Sequence, residues 1–115
     1  MKPYAEIAVA FASALVDGDF ARAQALLAPE LRTRFTADAL REALYRMSRG
    51  YSDSEPRTVH FDPEFQMEDW PDKRTEDVGW VYVTIEGDDF VEAVTVIVAK
   101  IEGSLLIRDI EWGRP

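Results

Sequence analysis

The chain is predicted to form an α+β domain, cone-shaped, with three N-terminal helices packed on a curved antiparallel sheet of about four strands. Up to about Arg49, apolar residues recur at helical spacing. From Gly79 onward the text WVYVTIE-GD-DFVEAVTVIVAKI-EG-SLLIRDIEW is three β-rich runs split by two Gly-bearing turns. Helices followed by strands is the order expected when helices segregate to one face of an antiparallel sheet.

The first helix is predicted over Tyr4–Val16. Pro3 suits its first turn, where a missing N–H costs nothing. Ile7, Phe11 and Leu15, widened by Ala8, Ala12 and Val16, make the stripe of an amphipathic core helix. Gly18 tolerates the left-handed conformation that closes it. Asp19 caps a second helix, with Phe20, Ala23 and Leu27 apolar and Pro29 ending it. Glu30–Phe35 is read as a turn or a broken helical piece. Thr36 caps a third helix, with Asp38 in its first turn, Leu40, Ala43, Leu44 and Met47 as its stripe, and Gly50 at its end.

Thr58 to Glu68 alternates without a break. Val59, Phe61, Pro63, Phe65 and Met67 fall on one side, and His60, Asp62, Glu64, Gln66 and Glu68 on the other. Period two marks a strand wet on one face. Pro63 cannot donate to a ladder, so this strand belongs at an edge or carries a bulge. Asp69 to Val78 is a charged loop holding Trp70 and Pro71.

In the meander, a two-residue turn at Gly87–Asp88 sets Ile85 opposite Phe90. A second turn at Glu102–Gly103 sets Ile101 opposite Ser104 and Arg108 opposite Ile97. One face then gathers Trp80, Tyr82, Thr95, Arg108 and Trp112. The other gathers Val83, Val94, Val96, Val98 and Ile107, rimmed by Glu92, Lys100, Asp109 and Glu111. The aromatic face is taken as the helix-packed side. The valine face, apolar with a charged rim, then becomes a homodimer interface.

With 115 residues, the chain is read as a single domain over 1–115. Cysteine is absent and there is one histidine, so disulfides, thiolate sites and multi-His zinc sites are excluded. The net charge of −9 is concentrated: residues 52–92 hold three basic and thirteen acidic residues, a net of −10. Such a chain lacks the basic stripe that nucleic acid or anionic membrane requires, so neither is expected as a partner. A solvated acidic face is the plain reading, and a basic protein partner is the functional one. The N-terminal apolar stretch Ile7–Val16 is too short to span a bilayer, and the expected location is cytoplasmic.

The text FASALVDGDFARAQALLAPEL resembles the opening of the nuclear-transport-factor-2-like, or SnoaL-like, superfamily, in which a helix, a Gly-Asp turn and a second helix recur. VIVAKIEGSLLIRDIEW is similar to its last hairpin. The resemblance implies three helices in a strongly curved sheet and dimerisation through that sheet. It also admits several functions: ketosteroid-isomerase-like and dehydratase-like enzymes, polyketide cyclases, transport adaptors and immunity proteins. The aromatic residue frequent after the last Gly turn in that group is here replaced by Leu105 and Leu106.

Candidate site residues follow from the register. Arg108 among Trp80, Tyr82 and Trp112 reads as an anion-recognising group in a ligand pocket, or as an arginine paired with an acid near the sheet edge. Tyr45 and Thr95 complete that pocket, and Tyr51 and Trp70 extend the aromatic stock. His60 and Asp62 form a tempting dyad, set against a solvated histidine on a polar strand face. Asp69, Asp72, Glu76 and Asp77 match no calcium-loop spacing, and no metal or cofactor is expected. No phosphate-cradling loop, nucleophile elbow or H-E-x-x-H segment occurs.

The leading expectation is a non-catalytic domain that binds a protein partner or a small apolar ligand. One alternative is a small enzyme with Tyr82 or Tyr45 as donor and Arg108 as anion stabiliser, its base unidentified. Another is an acidic immunity-type inhibitor of a basic toxin.

Overall fold

The structure, a computed structural model, describes residues 1–49 and 54–113. Among these residues four helices precede five strands: α1 Pro3–Val16, α2 Phe20–Ala25, α3 Pro29–Arg34, α4 Ala37–Arg49, β1 Thr58–His60, β2 Gln66–Met67, β3 Asp77–Glu86, β4 Val91–Ile101 and β5 Ser104–Trp112. The sheet is antiparallel, in the order β1-β3-β4-β5, with β2 also pairing β3. The α+β class is as predicted. Gly50 and Tyr51 lie outside the described residues.

The caps work as their chemistry requires. Asp19 Oδ1 accepts from the Arg22 N–H at 3.2 Å, and Thr36 Oγ1 accepts from the Ala39 N–H at 3.2 Å. Pro29 does not end a helix but opens one, as the first residue of α3. Fully buried Ala5, Ala8 and Ala12 let α1 lie close on the sheet. The Tyr4 ring fills the space where Gly79 lacks a side chain.

The predicted long strand Thr58–Glu68 is broken. β1 pairs Val59 with Ile85, the chain turns through Pro63, and β2 resumes with Gln66 opposite Val81 and Met67 opposite Trp80. Because the turn resets the alternation, Phe65 and Met67 emerge on the opposite side of the sheet from Val59. Glu68 then accepts from both the Lys2 ammonium and the Tyr4 hydroxyl, fastening the start of α1 to this edge.

The first hairpin loop is longer than predicted. Glu86 pairs with Val91 and Ile85 with Glu92, not Phe90. The shift is two residues, so every side chain keeps its expected face. The second turn is as predicted, with Ile101 opposite Ser104 and Val98 opposite Ile107. Beyond that pair a bulge at Arg108 slips the register by one, so Ile97 faces Asp109, Val96 faces Ile110 and Val94 faces Trp112. The edge of β5 at this point is covered by the α2–α3 connection. Ile107 N–H donates to Leu26 O at 2.9 Å, and Ala28 N–H donates to Ile107 O at 2.7 Å.

The helices cover the valine face, which overturns the predicted choice of sides. Val83, Val94, Val96, Val98 and Ile107 are fully buried in one core with Phe11, Leu15, Leu27, Leu40 and Leu44. They are not a dimer surface. Compact branched aliphatics carry no polar atom and fill a dry layer at high density. Tyrosine and tryptophan keep a polar tip that favours a position near water.

Candidate functional site

Six residues were predicted to share one pocket: Tyr45, Trp80, Tyr82, Thr95, Arg108 and Trp112. They occupy four places. Trp80, Tyr82 and Thr95 lie on the outer face of the sheet, away from the helices. Tyr45 borders a shallow groove with Leu15, Phe20 and Pro56. Arg108 sits beside α3, and Trp112 turns inward to the core because of the bulge. The proposed combination of Tyr82 and Arg108 is therefore split across the sheet.

Arg108 follows the plainer of its two readings. Its Nε donates to Asp77 Oδ1 and its Nη2 to Asp77 Oδ2, both at 2.7 Å. The Asp77 side chain is fully buried and that of Arg108 only 14% exposed. Burial alone would raise the Asp77 carboxyl. The two bonds from Arg108, the Arg74 N–H and nearby positive charge outweigh it and hold the group below its ordinary value. This pair pins the bulge of β5 to the start of β3. It also withdraws Asp77 from the acidic group first compared with a calcium loop.

His60 is exposed at the end of β1, on the outer side opposite Thr84. Asp62 lies past the end of that strand, where its Oδ1 accepts from the Glu64 N–H at 2.9 Å. The strand relationship that would have coupled the two is absent.

Two other arrangements have the makings of a site. The first is the outer sheet face. Its outward positions on β2 to β5 carry Met67, Trp80, Tyr82, Ala93, Thr95, Ile97, Ala99 and Leu106, flanked by Asp109 and Glu111. Phe65 adds an edge-on ring against Tyr82, with centroids 5.4 Å apart. Among the described residues, no helix covers this side. Phe65, Met67 and Val91 remain 49%, 40% and 45% exposed. A row of large rings on β3 stands beside a row of small residues on β4, of which Ala93, Thr95 and Ala99 are already buried by their surroundings.

The second is a cleft of about 290 Å³ on the helix side, lined by Ala43, Arg46 and Met47 of α4 and by Glu92, Trp112 and Gly113 at the ends of β4 and β5. Glu92 is only 8% exposed and points inward, as the partner of Ile85. The Trp112 ring is wedged by Phe11 at 6.4 Å and Phe35 at 6.0 Å, both tilted, so its orientation is fixed by packing. Arg46 donates to Glu42 at 2.9 Å along α4. The cleft thus combines a buried carboxylate, a held aromatic wall and an apolar floor.

Glu92 was missed as a site residue. It belongs to the same alternation as Val94, Val96 and Val98, so assigning that row to the core would have turned it inward too.

No protein-family model matches this chain, and no curated protein or solved structure matches it. Among the described residues, no helix is long and apolar enough to cross a membrane.

Proposed function

We propose that the chain is a non-catalytic binding domain that works as a pair of copies joined through the outer face of the sheet. The observation that carries this reading is the apolar outer face, free of any described helix, on which Phe65, Met67 and Val91 stay exposed beside the row of Trp80 and Tyr82. A two-fold pair presents the same patch from both copies, so the exposed apolar side chains of each meet the apolar face of the other.

Its size supports a stable pair. Strands β3, β4 and β5 have 10, 11 and 9 residues. At ~3.3 Å per residue and ~4.8 Å between strands, four strands project roughly 500–600 Å². Side-chain relief brings that toward the ~800 Å² that each partner contributes to a standard interface. The arrangement of helices on one side and a free sheet on the other also supports placing the chain with nuclear-transport-factor-2-like domains, as part of the same proposal.

Sedimentation velocity over a wide concentration range tests the pairing. A species near twice the 13.1 kDa chain mass supports it. A single species at the chain mass throughout overturns it. A partner richer in Lys and Arg is the competing occupant, since outward strand positions hold Glu86, Asp109 and Glu111 but no Lys or Arg. Salt-sensitive capture of such a partner by a monomeric chain would favour that occupant instead.

A further inference from the structure

We infer that the pair formed through the outer sheet face is regulated by ionic strength, with salt tightening it. This rests on the reading of the chain as a pair of copies and names what controls that same surface.

The charges on the face have one sign. Among the described residues, the charged outward strand positions are Glu86 on β3 and Asp109 and Glu111 on β5. Lys100 of β4 shares the parity of Val96 and Val98 and belongs to the other face. His60, outward on β1 opposite Thr84, is the one group there able to gain a positive charge.

Nothing inside the chain neutralises the three carboxylates. Among the described residues none of them is in an ion pair. Arg108, next to Asp109 in the chain, is engaged by Asp77 through two bonds of 2.7 Å. Asp109 is itself fixed, its Oδ1 accepting from the Ile110 N–H at 3.0 Å.

A two-fold axis brings the same face together from both copies. Every carboxylate on it is then present twice and no cation is added, whichever direction the axis takes. The apolar contacts draw the copies together, and the carboxylates push them apart. Facing sheets lie ~10 Å apart, so charges across the pair are separated by roughly that distance or more. A charge is felt over about 30 Å in ~0.01 M salt and over about 3 Å in ~1 M salt. The repulsion therefore acts across the whole pair in dilute salt and is removed in concentrated salt. Apolar attraction is not screened in this way. A Lys- and Arg-rich partner on the same face would respond with the opposite sign, because salt would then screen an attraction.

Sedimentation equilibrium over a range of chain concentrations, in sodium chloride from ~0.02 M to ~1 M, tests the inference. The samples are the native chain and the triple variant Glu86→Gln, Asp109→Asn, Glu111→Gln, with circular dichroism confirming both folds. Native association should tighten about tenfold or more across that range. The triple variant should pair more tightly than the native chain in dilute salt and change by less than about threefold across the range. It also controls for any strengthening of apolar contact by salt itself.

A native affinity that stays flat or falls with salt would overturn the regulation and leave the pairing standing. So would a triple variant that responds to salt as the native chain does. A native chain at the monomer mass in every salt would overturn the regulation as well. The triple variant then decides the pairing, which stands if that variant forms a dimer and falls if it does not.

Discussion

Arg108 grips Asp77 with two parallel hydrogen bonds of 2.7 Å, joining the bulge of β5 to the first residue of β3. The contact crosses over β4 and closes the end of the sheet beside α3. It is a structural tie, and its burial makes either half costly to remove alone.

Asp77→Ala or Arg108→Ala should each lower stability by about 3–5 kcal/mol, because the remaining charge is left in a poorly solvated position. Replacing both at once with apolar residues of similar volume should cost less than either single change. Urea unfolding of the two single variants and the double variant measures this, and additive losses would count against the tie.

The same pair sets an acid dependence. The folded Asp77 carboxyl lies below its unfolded value, which is about 3.9 for a free aspartate. Its contribution is therefore complete above that unfolded value and is lost as pH falls through the lower folded one. Stability of the native chain should drop on acidification below about pH 4, and Asp77→Asn should flatten that part of the profile. Parallel profiles for the two proteins would show that Asp77 does not contribute.

Gly79→Ala should destabilise by about 1–3 kcal/mol, the usual range for overpacking. An added Cβ would lie 2.1 Å from a carbon of the Tyr4 ring. That ring is held by its hydroxyl bond to Glu68 at 3.0 Å, so it cannot swing away without breaking the tie to β2. Tyr4→Ala in the Gly79→Ala background should recover the steric part of the loss, read from thermal midpoints.

Much of the fold was legible because its signals are local. Asp19 and Thr36 announce caps through their side-chain oxygens, and Pro63 announces a break in an edge strand. The β3–β4 faces were sorted correctly even though the loop is longer, since a two-residue shift preserves parity. What stayed hidden depends on distant parts of the chain. Leu106, Arg108, Ile110 and Trp112 alternate smoothly in the text, and no Gly or Pro marks the bulge that turns Trp112 inward. Nor does β4 declare its inner side, since Val94, Val96 and Val98 on one face compete with Ala93, Thr95 and Ile97 on the other. The helices decide between them, and α1 with its row of alanines settles on the valines. The candidate site was hidden by the same ambiguity, because the orientation of Glu92 is tied to that choice.

The choice of face has a sharp consequence at Val96. A glutamate there would place a carboxylate in the core with no partner, a cost of several kcal/mol. That is a large part of the ~5–15 kcal/mol by which a domain of this kind is stable. Val96→Glu should therefore lose its folded circular-dichroism signal altogether. A folded Val96→Glu monomer would instead return the valine face to the surface.

The neighbouring residue gives the most direct test of the account. Ile97 points outward opposite Trp80, so Ile97→Glu leaves the core intact and puts a charge on the face assigned to pairing. Sedimentation equilibrium of native chain and Ile97→Glu, at matched concentration and with circular dichroism confirming the fold, should give about twice 13.1 kDa for the former and 13.1 kDa for the latter. Equal masses for the two folded proteins would contradict the claim that copies meet through the outer sheet.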